Sequence, residues 1–168
     1  LCRELNIAYQ ASIISNGTSW VEDVGAFVNR HQIKQVQISF DGLQKNHDRR
    51  RRYRTSYVPK ENASSFDRAV GLVDKLSYYT RVDLRFNTDR ANQSDIIPFI
   101  EFAREKGWFD RPYPVVFQPA RLAAYSEHST FLRKNELDLD EFDALRSMVK
   151  TEAGDNFTVE ESEIPDGF

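Results

Sequence analysis

Residues Val36 to Arg54 have the sequence VQISFDGLQKNHDRRRRYR. Apolar Val36, Ile38 and Phe40 alternate with polar residues, a pattern that indicates a β-strand with one buried face. The pattern stops at Asp41-Gly42, a pair that favours a turn, and imidazole and guanidinium side chains follow. A strand that leads into such groups predicts a polar, anion-binding edge where the strand ends.

Strand and helix patterns alternate along the rest of the chain. Strand patterns lie at residues 7–14, 36–40, 82–86 and 115–117, and helical patterns begin near Val21, at Ser64 or Ser65, at Asn92 or Ser94, and at Asp138. Strict alternation predicts an α/β fold with a parallel sheet and right-handed crossovers. Since a complete eight-stranded barrel takes about 250 residues, the chain is expected to hold about four βα units, either half of such a barrel or a small open sheet.

The bulk composition is that of a globular protein. The 168 residues are 40% hydrophobic and 29% charged, with a net charge of −3, which suits one core rather than two domains. No apolar run approaches the roughly 20 residues that span a bilayer, so no membrane partner is expected. The mild acidity argues against a dedicated nucleic-acid-binding domain, which is usually strongly basic.

Cysteine is scarce in this sequence. Cys2 is the only one, which excludes an intrachain disulfide and a metal site built from thiolates of this chain alone. A cytoplasmic location is expected, because thiols stay reduced there.

The composition changes near the end of the chain. Residues 1–151 are expected to form the α/β unit. Residues 152–168 are acidic and contain Pro165 and Gly167. This tail is predicted to be a linker towards a missing C-terminal domain.

Polar residues follow every predicted strand. They are Ser15-Asn16-Gly17, then Ser39 with Asp41-Gly42, then Asn87 with Asp89 and Arg90, and finally Gln118 with Arg121. The carboxyl ends of parallel strands lie at one edge of the sheet, where ligands bind in this class of fold. These residues therefore predict a shared polar rim, against the alternative that they are ordinary turn residues.

Several of these residues also have a structural interpretation. Arg49, Arg50 and Arg52 are predicted to form the solvated face of a helix. His47 and Asp48 are either an acid–base pair or a helix cap by Asp48 with His47 in the packing.

Three segments carry a resemblance to a known family. They are ISNGTSW at 14–20, QISFDGLQKNHDRRR at 37–51 and LRFNTDRAN at 84–92. The second is similar to an I-S-x-D-G element followed by H-D-x-x-R, and the third to an Asn-x-x-x-x-Asn element. Over residues 7–119 the chain resembles the middle of a radical S-adenosylmethionine (SAM) enzyme, of the subgroup that carries a C-terminal SPASM domain and matures peptides or sulfatases.

The resemblance implies a fold and a set of site residues. The fold would be a segment of a partial (β/α) TIM-type barrel. Ser39 and Arg51 would bind SAM, Arg51 through the ligand carboxylate, and the backbone around Val115 would contact the adenine. Asn16, Asp41 and Asn87 would lie on the substrate side. Arg121 and Tyr125 would lie in a loop that contacts the substrate.

The resemblance also implies cofactors and partners. The family uses SAM and a [4Fe-4S] cluster, reduced by an external reductant, to generate a 5′-deoxyadenosyl radical that modifies a peptide or protein. The family's C-x-x-x-C-x-x-C loop and Gly-Gly-Glu segment are absent from this sequence, so the excerpt by itself is expected to be inactive. Two other functions stay open: a non-catalytic α/β binding module, and a nucleic-acid-binding module that uses residues 49–54.

Overall fold

The computed structural model describes residues 9–53, 64–124 and 129–158. Within these ranges, strands β1 to β4 are Ala11–Ser15, Ile33–Phe40, Arg81–Thr88 and Val115–Arg121. Helices α1 to α6 are Val24–Arg30, Gln44–Arg50, Ser65–Leu76, Ile96–Glu105, Thr130–Asn135 and Leu139–Ala153. Short 3-10 turns lie at Gln93–Asp95, Trp108–Asp110 and Gly154–Asn156.

The four strands form one parallel sheet. Each strand pairs with the next along the chain, which gives the order β1-β2-β3-β4. In the register, Ser39 of β2 lies opposite Arg85 of β3, which lies opposite Gln118 of β4. The predicted α/β fold with a parallel sheet is confirmed, and the carboxyl ends of the strands share one edge.

The two faces of the sheet differ in chemistry. One face is apolar and forms a single core with residues of α1, α3, α4 and α6; its fully buried strand residues are Val36, Ile38, Phe40, Val82, Leu84, Phe86 and Phe117. Alternate residues of a strand point to opposite faces. The other face therefore carries the polar side chains of Gln35, Gln37, Ser39, Asp83, Arg85, Asn87 and Gln118.

Local capping explains where several helices begin and end. Ser64 caps α3 by accepting from the Asp67 N–H, and Asp138 and Glu141 form the predicted capping box at the start of α6. Gly107 follows α4 with a φ of +66°, a conformation that glycine adopts without strain. In the described part of the chain, no helix has both the length and the apolar character that a membrane span requires.

Two short helices, α2 and α5, have no apolar periodicity. The sequence predicts a helix face at Arg49 and Arg50, which end α2, and it predicts no helix at α5. Their sequences are QKNHDRR and TFLRKN. Neither repeats apolar residues at helical spacing over several turns, so periodicity gives no signal for them.

Strand β4 continues through Pro119, where the sequence predicts its end. The main-chain carbonyl of Phe117 accepts from Thr158, on the side of β4 away from β3. Since residues two apart in a strand point the same way, the nitrogen of Pro119 also points away from β3. Proline there removes no hydrogen bond from the β3–β4 ladder.

The predicted linker at residues 152–168 is ordered over its first part. Helix α6 continues to Ala153, which is buried. Phe157 then pairs in parallel with Phe117 of β4, and the Asn156 amide donates to the Val115 carbonyl at 2.9 Å. The packed unit thus extends past the predicted boundary to Thr158, because these contacts hold the chain against the sheet. Residues 159–168 lie outside the described residues, where the linker stays a prediction.

Candidate functional site

The turn after β2 begins the rim at the carboxyl edge of the sheet. Gly42 has a φ of +128°, which side-chain-bearing residues rarely adopt. A Cβ at this position would lie 2.6 Å from Asp95 Oδ2 and 2.7 Å from Asn46 Cβ. Two features therefore favour glycine at this position: the positive φ, and the close approach of Asp95 and Asn46.

Asp41 and Arg51 form an ion pair on this rim. Arg51 immediately follows α2, and its main-chain N–H donates to the His47 carbonyl. Its Nε lies 2.5 Å from Asp41 Oδ2 and its Nη2 lies 3.2 Å from Oδ1. The pair is bidentate. The Arg51 side chain is 22% exposed and the Asp41 side chain is 12% exposed. Two residues that the resemblance assigns to different ligands are thus in contact.

Two asparagines join this pair to strand β3. The Asn87 side-chain amide donates to Asp41 Oδ1 at 2.8 Å. The buried Asn92 amide donates to the main-chain carbonyls of Asp41 and Asn87, at 2.9 and 2.8 Å. Asn92 Oδ1 also accepts from the Asp89 N–H. The loops after β2 and β3 are therefore tied into one unit.

Asp95 provides a second tie between the same loops. Its Oδ2 accepts from the Leu43 N–H at 2.9 Å and from the Asn46 amide at 2.7 Å. Asn46 lies in the first turns of α2, so this contact sets the start of the helix that ends at Arg51. The position of Arg51 thus depends on residues far away in sequence.

The electrostatics of Asp41 favour its charged form. Burial by itself raises the pKa of the Asp41 carboxyl. The hydrogen bonds and charge of Arg51, together with the Asn87 amide, outweigh burial, and the pKa lies below its ordinary value. Asp41 is therefore a carboxylate at neutral pH.

His47 belongs to the packing beneath the rim. Its ring is buried, with centroids 5.4 Å from Phe40 and 5.7 Å from Phe66. Burial, assisted by the charge of Arg51, lowers the pKa of His47 to about 4. The neutral ring accepts from the Asp41 N–H through Nδ1 at 3.3 Å. The structural interpretation of His47 is the one that the geometry supports.

Asp48 is a cap, although for a different helix from its own. Its Oδ1 accepts from the Phe66 N–H at 2.9 Å and from the Ser65 hydroxyl at 2.8 Å, both in the first turn of α3. Burial raises the pKa of Asp48, but these hydrogen bonds outweigh it and the pKa is lowered. Since His47 and Asp48 have separate partners, they do not form an acid–base pair.

The arginine run is only partly solvated. Arg49 and Arg52 are exposed, as predicted. The prediction is wrong for Arg50, whose side chain is 15% exposed and donates to the buried Asp89 carboxylate at 2.8 Å. Asp89 is fully buried, and the same carboxylate oxygen also accepts from the Ala91 N–H at 2.9 Å. Arg54 lies outside the described residues.

Ser39 is the last residue but one of β2. It is half-buried on the polar face of the sheet, in register with Arg85. Its hydroxyl makes no hydrogen bond to another described residue. An unpaired hydroxyl on this face is available to a ligand.

Two other predicted site residues do not join the Asp41–Arg51 pair. Asn16 is exposed after β1, and its Oδ1 accepts from the N–H and hydroxyl of Thr18, which closes a local turn. Val115 begins β4 in register with Val82, so it lies at the amino edge of the sheet, opposite the rim. Its side chain is buried and its carbonyl is taken by Asn156. Val115 is therefore not positioned to meet a ligand of Ser39 and Arg51.

Several polar residues of the site are not found by the sequence patterns. Asn46 and Asp95 hold the loops through contacts across the sheet edge. Asn92 ends the Asn-x-x-x-x-Asn element, but its role as a link to Asp41 is not visible in the sequence. On the polar face, Gln37 and Gln118 are hydrogen-bonded at 2.5 Å, and Asp83 pairs with Arg81 and Gln35. The polar positions of the alternating strand patterns are the signal that could have located this second group.

Arg121, which is predicted to lie in the polar rim, is hydrogen-bonded to other groups of the protein. Its Nη1 donates to Glu136 Oε1 at 2.8 Å and to the Leu137 carbonyl at 3.0 Å. Tyr125, predicted to lie in the same loop, is outside the described residues, as is Cys2.

Metal-binding chemistry finds no support in the described ranges. They contain no group of three histidine, cysteine, aspartate or glutamate side chains that could hold a metal ion.

No protein-family model matches the sequence, and no curated protein matches it either.

Proposed function

We propose that this chain is the SAM-binding part of a radical SAM enzyme that modifies a peptide or protein substrate. The observation that carries the proposal is the placement of Ser39 and Arg51 near one edge of a parallel sheet, with an unpaired hydroxyl and a partly exposed guanidinium. Ligands of parallel α/β folds bind at this edge.

A partial (β/α) TIM-type barrel is part of the same proposal. A barrel requires each strand to neighbour the next, as they do in the order β1-β2-β3-β4. It also requires helices on one face only, and here the core lies on one face while the other face is polar. The parallel pairing of Phe157 with Phe117 would start a fifth strand in the same sequence.

The residues present fit the methionine end of SAM. A guanidinium donates two parallel hydrogen bonds to a carboxylate. Asp41 occupies the edge of Arg51 formed by Nε and Nη2, and Nη1 has no partner among the described residues. The edge formed by Nη1 and Nη2 can therefore donate to a ligand carboxylate. The Ser39 hydroxyl can hydrogen-bond to a second polar group of the ligand.

These residues do not fit an iron–sulfur cluster. Such clusters are held by several cysteine thiolates, and the sequence contains one cysteine. The cluster and its reductant would have to be supplied by groups other than these 168 residues. Bound SAM supplies hydrogen-abstraction chemistry in this family, and the share of this chain is to bind and orient it.

The substrate side of the proposal rests on the polar rim. The Asn87 amide donates to Asp41 and accepts from Arg85 Nε, and the Asn16 Oδ1 accepts from Thr18. An amide NH2 group carries two donor hydrogens, so each asparagine keeps donor capacity for a ligand. Such groups suit the main chain of a peptide. A cytoplasmic location belongs to the same proposal.

Calorimetric titration of the protein with SAM tests the assignment. Saturable binding, competed by S-adenosylhomocysteine and not by adenosine alone, is the expected result, because the methionine carboxylate is the group that Arg51 would hold. Absence of binding, or equal competition by adenosine, would reject the proposal.

A non-catalytic α/β binding module is the second candidate, favoured by the single cysteine. It predicts no SAM binding in the same titration. The nucleic-acid-binding alternative is less favoured. Two of the arginines that it would use, Arg50 and Arg51, form ion pairs with Asp89 and Asp41.

A further inference from the structure

We infer that Asp41 is a positioning residue for Arg51, which it holds with one edge of the guanidinium turned towards the ligand. The inference rests on the proposed function and changes the role of Asp41 from a substrate contact to a support of the SAM site. It names a second residue on which ligand affinity should depend.

The geometry of the guanidinium is the first argument. Arginine has a side edge, formed by Nε and one Nη, and an end edge, formed by both Nη atoms. Asp41 takes the side edge with two hydrogen bonds, at 2.5 and 3.2 Å. A planar group held along one edge keeps a defined direction for the other. Asp41 thus fixes the direction from which an anion can bind to Arg51.

The second argument is that Asp41 is itself held from several directions. Its carboxylate accepts from Asn87, its carbonyl accepts from Asn92, and its N–H donates to His47. The following Gly42 packs too closely against Asp95 for a side chain. These contacts hold Asp41 beside Arg51 independently of any ligand.

The third argument concerns flexibility. Free arginine side chains populate many rotamers, and ordering them on binding lowers affinity. Arg51 lies just beyond the end of a short helix, where the backbone alone would not hold its side chain. Asp41 orders the Arg51 side chain before the ligand binds. Functional sites depend on such support, in which neighbouring residues fix the side chain that contacts the ligand.

A second ion pair in this protein provides a matched control. Asp83 binds Arg81 through the same two edge atoms and also accepts from the Gln35 amide. This arrangement repeats that of Asp41 with Arg51 and Asn87. Val82, between Arg81 and Asp83, is in register with Val115 at the amino edge of the sheet, so Asp83 lies away from the proposed ligand site.

A double-mutant cycle in SAM affinity tests the inference. We expect Asp41→Ala to raise the Kd for SAM about tenfold in the parent protein and less than about twofold in an Arg51→Ala background, because contacting residues couple. Asp83→Ala should change the Kd less than about twofold. An equal loss in both backgrounds, or no loss in the parent, would overturn the inference.

Two further measurements separate the possible failures. Asp41→Asn keeps one of the two oxygens that accept from Arg51, so it should recover part of the affinity if Asp41→Ala disturbs the fold. If the parent protein binds no SAM, the proposed function fails, and NMR relaxation of the Arg51 Nε–H group decides the inference alone. Asp41→Ala should then mobilise this group and Asp83→Ala should not; an Nε–H group that stays rigid in Asp41→Ala contradicts the positioning role.

Discussion

The side-chain amide of Asn92 donates to the main-chain carbonyl of Asp41, 2.9 Å away and 51 positions earlier in the sequence. The same amide donates to the Asn87 carbonyl. One buried side chain therefore joins the ends of two neighbouring strands. The rim at the carboxyl edge depends on this link, because Asp41 in turn holds Arg51.

Asn92→Ala should destabilise the protein by about 3 kcal/mol, because it removes three hydrogen bonds, to the buried Asp41 carbonyl, the part-buried Asn87 carbonyl and the buried Asp89 N–H. Urea unfolding measures the effect. Asn29→Ala, at an exposed helical position, should change stability by less than about 0.5 kcal/mol. Equal small changes in both variants would show that the link is dispensable.

Arg51→Ala should raise the Kd for SAM at least about tenfold, which corresponds to about 1.4 kcal/mol. The physical reason is the loss of the guanidinium edge that would bind the ligand carboxylate. The matched control is Arg49→Ala, because Arg49 is exposed and its side chain hydrogen-bonds to Asn46. Titration calorimetry measures both variants, and an unchanged Kd in Arg51→Ala would remove the basis of the proposed function.

Gly42→Ala should destabilise the protein by about 1–3 kcal/mol, because residue 42 has a positive φ and a Cβ there would be crowded by Asp95 and Asn46. The control is Gly71→Ala in α3, where a Cβ would meet no atom within 4 Å. That change should stabilise the protein by up to about 1 kcal/mol, since alanine is the better helix former. Thermal unfolding should thus separate the two variants in sign, and a stable Gly42→Ala protein would contradict the turn geometry.

Stability should fall as the pH decreases from about 6.5 to about 4, because of His47. Its pKa is lowered from 6.5 to about 4 in the folded state. Within this window the unfolded chain binds a proton that the folded protein does not, so acid favours unfolding. At most about 3 kcal/mol is lost across the window.

His47→Gln should flatten that pH dependence, since glutamine can accept from the Asp41 N–H and does not titrate. His31→Gln, at an exposed position, should keep the slope of the parent protein. Urea unfolding at several pH values measures the three proteins. A slope that survives in His47→Gln would assign the acid sensitivity to other groups.

The elements of this fold are largely predictable because their signals are local. Alternating residues such as Val36, Ile38 and Phe40 identify a strand, and the Asp138–Glu141 capping box identifies the start of α6. Both signals depend on neighbours within a few positions. The extension of β4 through Pro119 escapes such signals, because it depends on which side of the strand has a partner.

The rim at the carboxyl edge follows from alternation alone, since parallel strands must place their ends together. Which residues meet at that rim is decided by tertiary structure. Only the packed loops show that Asp41 binds Arg51, that Arg50 is covered with Asp89, and that Val115 lies at the opposite edge. The physical reason is that strand periodicity specifies a face and an end, whereas a hydrogen bond between side chains depends on register, loop geometry and burial, which arise when distant segments pack.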